Sequence, residues 1–547
     1  MWNKNKNQLF KACERLYSLC IETNLDEEND EDYFVACLSM DVVANCIPLL
    51  AFIDASENLS FSVNVRTIWE ALALLKLYDE KRIDETRLRL FRAQSNLFVD
   101  SYFFKMGGRE DEADGDTKRD FEKWIEVFAD GLKISKELAK SIHRREFLFF
   151  TKDPSVLSFK AFNLISSVYK DDKEKCEDYK KLCVYVHPYY CDSKSSKQKV
   201  KWFSDILEKT FNDVGEFLTS HGLYHFGPND PSADSVAKRA YGVIGRYLNT
   251  LSYAAISSSL IVCPFQIGAK ISGFDLIEAK AALNILRQMD VSLCMGFPYE
   301  TLLIFKGFVE HMAVWNRVED DGQVDGFKAY TDARFLSDKS PQSDWDNNFQ
   351  ALSKAYEDYY SKAYREGKTK FIDNMRYAHL HFLSEIDKDY IALAGDYIYE
   401  FVGRLGRDDT MFNDKGFMHK YLLVEYQRSV KYSHGRGYLL AFKDYWSNVS
   451  SQLETVAALM ICDKLRQIAE RSGNKDPLID FSFTIFRYAA GNFNAACEAS
   501  RDGDRDLLAR CENRDEEIND LIDQMATSIR RQASCEESFD SDLPGNR

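Results

Sequence analysis

Two stretches of the chain carry the same pattern of large polar side chains. Tyr179-x-Lys181-x3-Tyr185-x-His187 and Tyr426-x-Arg428-x3-Tyr432-x-His434 both read Tyr-x-(Lys/Arg)-x3-Tyr-x-His, 247 positions apart. A second pair precedes them in the same order: Arg66-x3-Glu70 and Lys306-x3-Glu310, 240 positions apart. Two matches in nearly constant register point to an internal duplication. A duplicated chain must fold so that each copy can bury the same set of charges.

The surrounding sequence is helical. In Val65–Tyr78 the apolar residues Ile68, Leu72, Leu75 and Tyr78 recur at helical spacing. Phe121–Leu138, Lys201–Leu218, Ala279–Val291, Asn348–Tyr364, Met375–Phe401 and Val449–Ala469 read the same way. No stretch alternates as a half-buried strand would, and 10 prolines in 547 residues argue against an all-β chain. Acidic or polar breaks fall at Glu22–Asp32, Lys105–Asp120, Asp192–Lys199 and Ser337–Asn347. The expectation is an all-α protein. Two tandem related helical bundles span 1–265 and 266–470, followed by a helical segment 471–533 and a disordered tail 534–547. The longest uncharged run, between Arg246 and Lys270, holds Asn249, Thr250, four serines and Pro264. It reads as a small-residue core helix rather than a membrane span, which should be apolar for about 20 residues.

Within each copy the spacing has a physical logic. Arg66 and Glu70 share a helical face, as do Lys306 and Glu310. Both pairs sit among apolar residues, so each carboxylate needs partners or its burial is costly. The Tyr/basic/Tyr/His helix of the same copy can supply them. Pro188 and Gly435 follow the two histidines directly, placing His187 and His434 near helix ends.

The run Leu182-Cys-Val-Tyr185-Val-His187-Pro188, downstream of Arg66-x3-Glu70, resembles a family of uncharacterised bacterial helical domains. Arg428-Ser-Val-Lys-Tyr432-Ser-His434-Gly435 is similar but looser. Through its Arg-x5-His spacing the second copy also resembles the HEPN-type helical domains. Many of those are metal-independent ribonucleases of toxin–antitoxin and phage-defence systems, and they pair Arg and His across a dimer. The resemblance implies an RNA substrate, no cofactor and an antiviral defence role. His434 would be the general acid/base, Arg428 would hold the scissile phosphate, and Glu310 and Tyr432 would position them. Ser429 fits the small polar residue such nucleases place after the arginine. The first copy carries Lys181 in place of that arginine, a point charge instead of a planar fork.

The rival reading is a non-catalytic helical module. In it Arg66, Glu70, Tyr179, Lys181, Tyr185 and His187, with their counterparts, form structural clusters or a pocket for a ligand, a protein partner or a second copy. The net charge of −16 excludes a protein whose main task is coating nucleic acid, and still permits a local basic groove. Thirteen scattered cysteines read as free thiols of a cytoplasmic protein. Cys176, Cys183, His187 and Cys191 lack the close pairing of a zinc site, and Gly222 interrupts the pair His221 and His225, so no metal site is expected. No phosphate-binding glycine loop and no Gly-x-Ser-x-Gly elbow is present.

Overall fold

The computed structural model describes residues 2–51, 58–106, 115–142, 161–186, 197–221, 273–294, 297–320, 387–405, 415–432, 437–441 and 446–471. It also describes Ile53, His434 and single positions between 484 and 520. Among the described residues every regular element is an α-helix. In chain order these are α1 (Trp2–Glu22), α2 (Asp30–Ala51), α3 (Asn58–Asp79), α4 (Glu85–Met106), α5 (Gly115–Leu132), α6 (Lys136–Ile142), α7 (Ala161–Val168), α8 (Lys173–Tyr185) and α9 (Lys197–Ser220). They continue with α10 (Gly273–Cys294), α11 (Pro298–Asp320), α12 (Asp387–Leu405), α13 (Lys415–Tyr432), α14 (Tyr438–Ala441) and α15 (Trp446–Arg471).

Local chemistry sets the boundaries. Asn29 caps α2 by accepting from the amides of Glu31 and Asp32, at 3.0 and 2.9 Å, ahead of an acidic first turn. Asp84 accepts from Arg87 N at the start of α4, and Asp172 from Lys175 N at the start of α8, both at 2.9 Å. Beyond α3, Lys81 has φ +56° and Arg82 N donates to Leu77 O, a left-handed helix stop. The helix expected over Phe121–Leu138 is broken by the same device. Lys133 has φ +55°, Ile134 N donates to Ala129 O, and Ser135 caps α6 through Leu138 N. Apolar periodicity continued across a stop that only the backbone reveals. Asn348–Tyr364 and the run around Pro264 lie outside the described residues, as do the boundary at 265 and the tail.

The chain divides into two compact units that do not run in sequence order. The first takes 1–239, 302–398 and 416–446; the second takes 240–301, 399–415 and 447–547. In the first unit α2 packs against α1, α3, α4 and α9, and α3 packs against α2, α7, α8 and α9. Both are buried nearly all round. Phe34, Cys37, Val42 and Val43 on α2 and Phe61, Val65, Ile68 and Trp69 on α3 have essentially no exposed surface. By length and apolar composition α2 could cross a membrane; 78% of its most apolar window is buried against the rest of the protein. Arg92 of α4 closes the loop before α2, donating to Glu28 O and Leu25 O and lying 5.1 Å from the Tyr33 ring centre. In the second unit Arg404 of α12 pairs with Asp463 of α15 at 2.8 Å, and Ser450 donates to Pro298 O at 2.5 Å.

Candidate functional site

All the described members of the repeated motif fall in the first unit. Glu70 projects from the buried face of α3 and has no exposed surface. Three groups meet it. Arg66 Nε, one turn earlier, lies 3.6 Å from Oε1; Tyr179 of α8 donates its hydroxyl to Oε1 at 2.5 Å; and His434 Nδ1 lies 3.1 Å from Oε2 and 3.3 Å from Oε1. The spacing Tyr179–Cys183 on α8 brings the Cys183 thiol to Arg66 and Tyr179 as well. Burial alone would raise the Glu70 carboxyl. The charge and hydrogen bond of His434, then Arg66 and Tyr179, outweigh it and hold the group below the usual carboxylate value. Burial and the neighbouring carboxylate push the Tyr179 hydroxyl well up, so it stays a donor.

The second cluster has the same skeleton with different occupants. Glu310 of α11 is 1% exposed, accepts from Tyr426 of α13 at 3.0 Å, and has Lys306 Nζ 3.8 Å away. Here burial prevails over Lys306, Tyr426 and the charge of Arg66, and the carboxyl is raised. Arg66 thus acts on both carboxylates.

The structure therefore distributes the expected catalytic set in an unexpected way. Tyr179 joins Glu70 and Tyr426 joins Glu310, as the order of the repeated motif leads one to expect. His434 lies not on Glu310 but on Glu70, 364 residues away in the chain. Arg428 is 2% exposed and its Nη2 is paired with Glu425, one turn before it on α13. Ser429 faces α11, donating to Leu302 O and accepting from Lys306 N at 2.8 Å. Lys181, the counterpart of Arg428, places its Nζ 6.0 Å from the Trp202 ring centre. Tyr185 and Tyr432 end their helices, and His187 lies outside the described residues.

One residue of this region was not singled out by sequence. Asp41 of α2, 1% exposed, accepts from Gly437 N at 2.6 Å, three residues beyond His434. The signal was there to find: Met40-Asp41-Val42 recurs as Met289-Asp290-Val291, in nearly the same register as the other matches.

Cys176 donates to Tyr169 O and Cys183 faces Arg66, so neither thiol of the rejected zinc set is arranged around a common point. Among the described residues no group of three or more His, Cys, Asp or Glu side chains is placed to hold a metal ion. His221 turns its Nδ1 to Phe217 O at 2.9 Å. Compared with known proteins, the chain matches no family, no curated protein and no solved structure.

Proposed function

We propose that the protein is a metal-independent RNA-cleaving enzyme of the bacterial defence or toxin type, acting in the cytoplasm. Its two copies stand in one chain for the two subunits of a paired helical nuclease. His434 serves as general acid/base, and Glu70 orients the ring and favours its charged form.

The observation that supports this best is the His434–Glu70 pair. A buried carboxylate on Nδ1 fixes the tautomer and raises the basicity of an imidazole, an arrangement general acid/base catalysis uses repeatedly. The His434 side chain is 10% exposed whereas Glu70 is fully covered, so the histidine is the member that can meet a substrate. Cleavage needs a proton taken from an attacking hydroxyl and one given to the leaving oxygen, both within reach of one histidine's chemistry. The opposed displacement of Glu70 and Glu310 adds support, because a catalytic carboxylate and a structural one call for different environments.

Arg428 supports the second reading, a non-catalytic module whose clusters fasten helices together. A guanidinium 2% exposed and paired with Glu425 is placed to hold α13 rather than a phosphate. Measuring RNA cleavage and thermal stability together on the parent protein, His434→Ala, Glu70→Gln and Arg428→Lys separates the two. Catalysis predicts a loss of about 10²–10⁴-fold in rate for His434→Ala measured well below its Tm, beyond the loss of stability that uncovering Glu70 brings. Fastening predicts a lowered Tm in all three variants and no cleavage in any of the four proteins. A folded parent that cleaves no RNA across a range of substrates overturns the enzyme.

A further inference from the structure

His434 sits on a short segment between α13 and α14, and the segment is gripped where it enters the first copy's helices. Gly437 is buried with φ +74°. A Cβ there would lie 2.7 Å from Cys37 Cβ and 2.7 Å from Phe91 Cζ, so only glycine lets the chain pass so close to α2 and α4. Its N–H is taken by Asp41 Oδ2 at 2.6 Å. Immediately after it, Tyr438 packs its ring 4.7 Å from that of Phe98, and Leu439 and Leu440 are buried against the same helices.

We infer that Asp41 is a positioning residue: by holding the Gly437 amide it seats His434 against Glu70. Three residues of chain span at most about 11 Å, so anchoring Gly437 confines the volume His434 can search. A carboxyl oxygen on α2 that is 1% exposed holds the amide with little competition from water, which makes it a strong anchor. Glu70 on α3 meets His434 directly, and Arg66 on α3 and Tyr179 and Cys183 on α8 gather around Glu70. Asp41 and Cys37 stand behind the anchor on α2. The role of His434 in chemistry rests on the function proposed above; the seating does not, and is measurable without activity.

The test is histidine-ring NMR on the full chain, with the His434 signal identified by its loss in His434→Ala. Asp41→Ala should move the His434 titration midpoint as the ring leaves Glu70. Glu70→Gln should produce the same movement. Asp41→Asn keeps an oxygen that accepts the amide and should preserve the parent midpoint. Asp41→Ser is too short to reach Gly437 and should behave as Asp41→Ala; it serves if the alanine variant does not fold. A midpoint unchanged in Asp41→Ala or in Asp41→Ser overturns the inference. A shifted midpoint in a protein that cleaves no RNA keeps the positioning role and removes the nuclease.

Discussion

Glu70 and Glu310 occupy the same place in the repeated motif, each meeting a tyrosine hydroxyl and a cation one turn back, yet their carboxyls are displaced in opposite directions. Both suffer the cost of burial. Glu70 overcomes it because His434 joins Arg66 and Tyr179 there; Glu310, with Lys306 at 3.8 Å, does not. A carboxyl lowered in the folded state stabilises it above the unfolded value, near 4.5, and that stability is lost as pH falls through the lower folded value. A carboxyl raised in the folded state has the reverse sign, and its relative benefit fades as pH rises above 4.5. Glu70→Gln should therefore cost about 3–5 kcal/mol at pH 7 and flatten the acid limb of stability. Glu310→Gln should cost less at pH 7 than at pH 4 relative to the parent's own change. Denaturant unfolding of both variants at the two pH values measures this; equal behaviour of the two would contradict the assigned environments.

Two glycines give a contrast in packing. Gly307, in the buried middle of α11, is where α11 meets Leu59 of α3; an added Cβ would stand 2.7 Å from both Leu59 methyls. Gly307→Ala should cost about 1–3 kcal/mol through overpacking, unless Leu59 can rotate away. Gly215, inside α9, has nothing within 4 Å of the added atom. Gly215→Ala should stabilise by about 0.4–1 kcal/mol, since it removes backbone freedom from the unfolded chain. The sign of the change in unfolding midpoint checks each.

The described cysteines are free, and most are deeply placed. Burial pushes the thiols of Cys37, Cys183 and Cys462 up, and a hydrogen bond with Cys46 together with burial does so for Cys13. Thiolate is the reactive form, so these residues should label slowly with a thiol reagent at neutral pH and fast after denaturation. Rapid labelling of Cys13 or Cys37 in the folded protein, located by peptide mapping, would contradict the packing of α1 on α2.

Helices were legible in the sequence where one face is apolar, as on α9, and where α3 repeats its large side chains. The pairings Glu70–Tyr179 and Glu310–Tyr426 followed from the need of buried carboxylates for donors. The crossing of His434 to Glu70 did not. Periodicity constrains faces within a helix and says nothing about which copy receives a short segment after it. That choice is made by Gly437 and Asp41, a positive φ and one buried acceptor; the recurring Met-Asp-Val marks Asp41 but does not name the amide it takes. The stop at Lys133 was hidden for the same reason. The spacing of Arg428 to His434 suits a phosphate ligand, but Glu425, three residues before it on the same helical face, is the partner it takes.

Ser429 offers the sharpest separation of the two functional readings. In the nuclease resemblance, the small polar residue after the arginine belongs to the catalytic motif. In the structure its hydroxyl donates to Leu302 O and accepts from Lys306 N, inserting into a turn of α11. Ser429 is 1% exposed, and Lys306 carries the side chain that faces Glu310. Ser429→Ala should therefore cost about 1–2 kcal/mol, the loss of a buried bridge between α13 and α11. It should leave the His434 ring titration where it is, because the Glu70 contact does not run through α11. Ser429→Thr keeps the hydroxyl but adds a methyl at a packed contact, and should destabilise by a comparable amount while retaining the bridge. If the protein cleaves RNA, Ser429→Ala at a temperature well below its Tm should keep most of the parent rate. A loss of about 10²-fold or more with unchanged stability would instead place Ser429 in the catalytic machinery and return Arg428, its neighbour on α13, to the role of phosphate ligand.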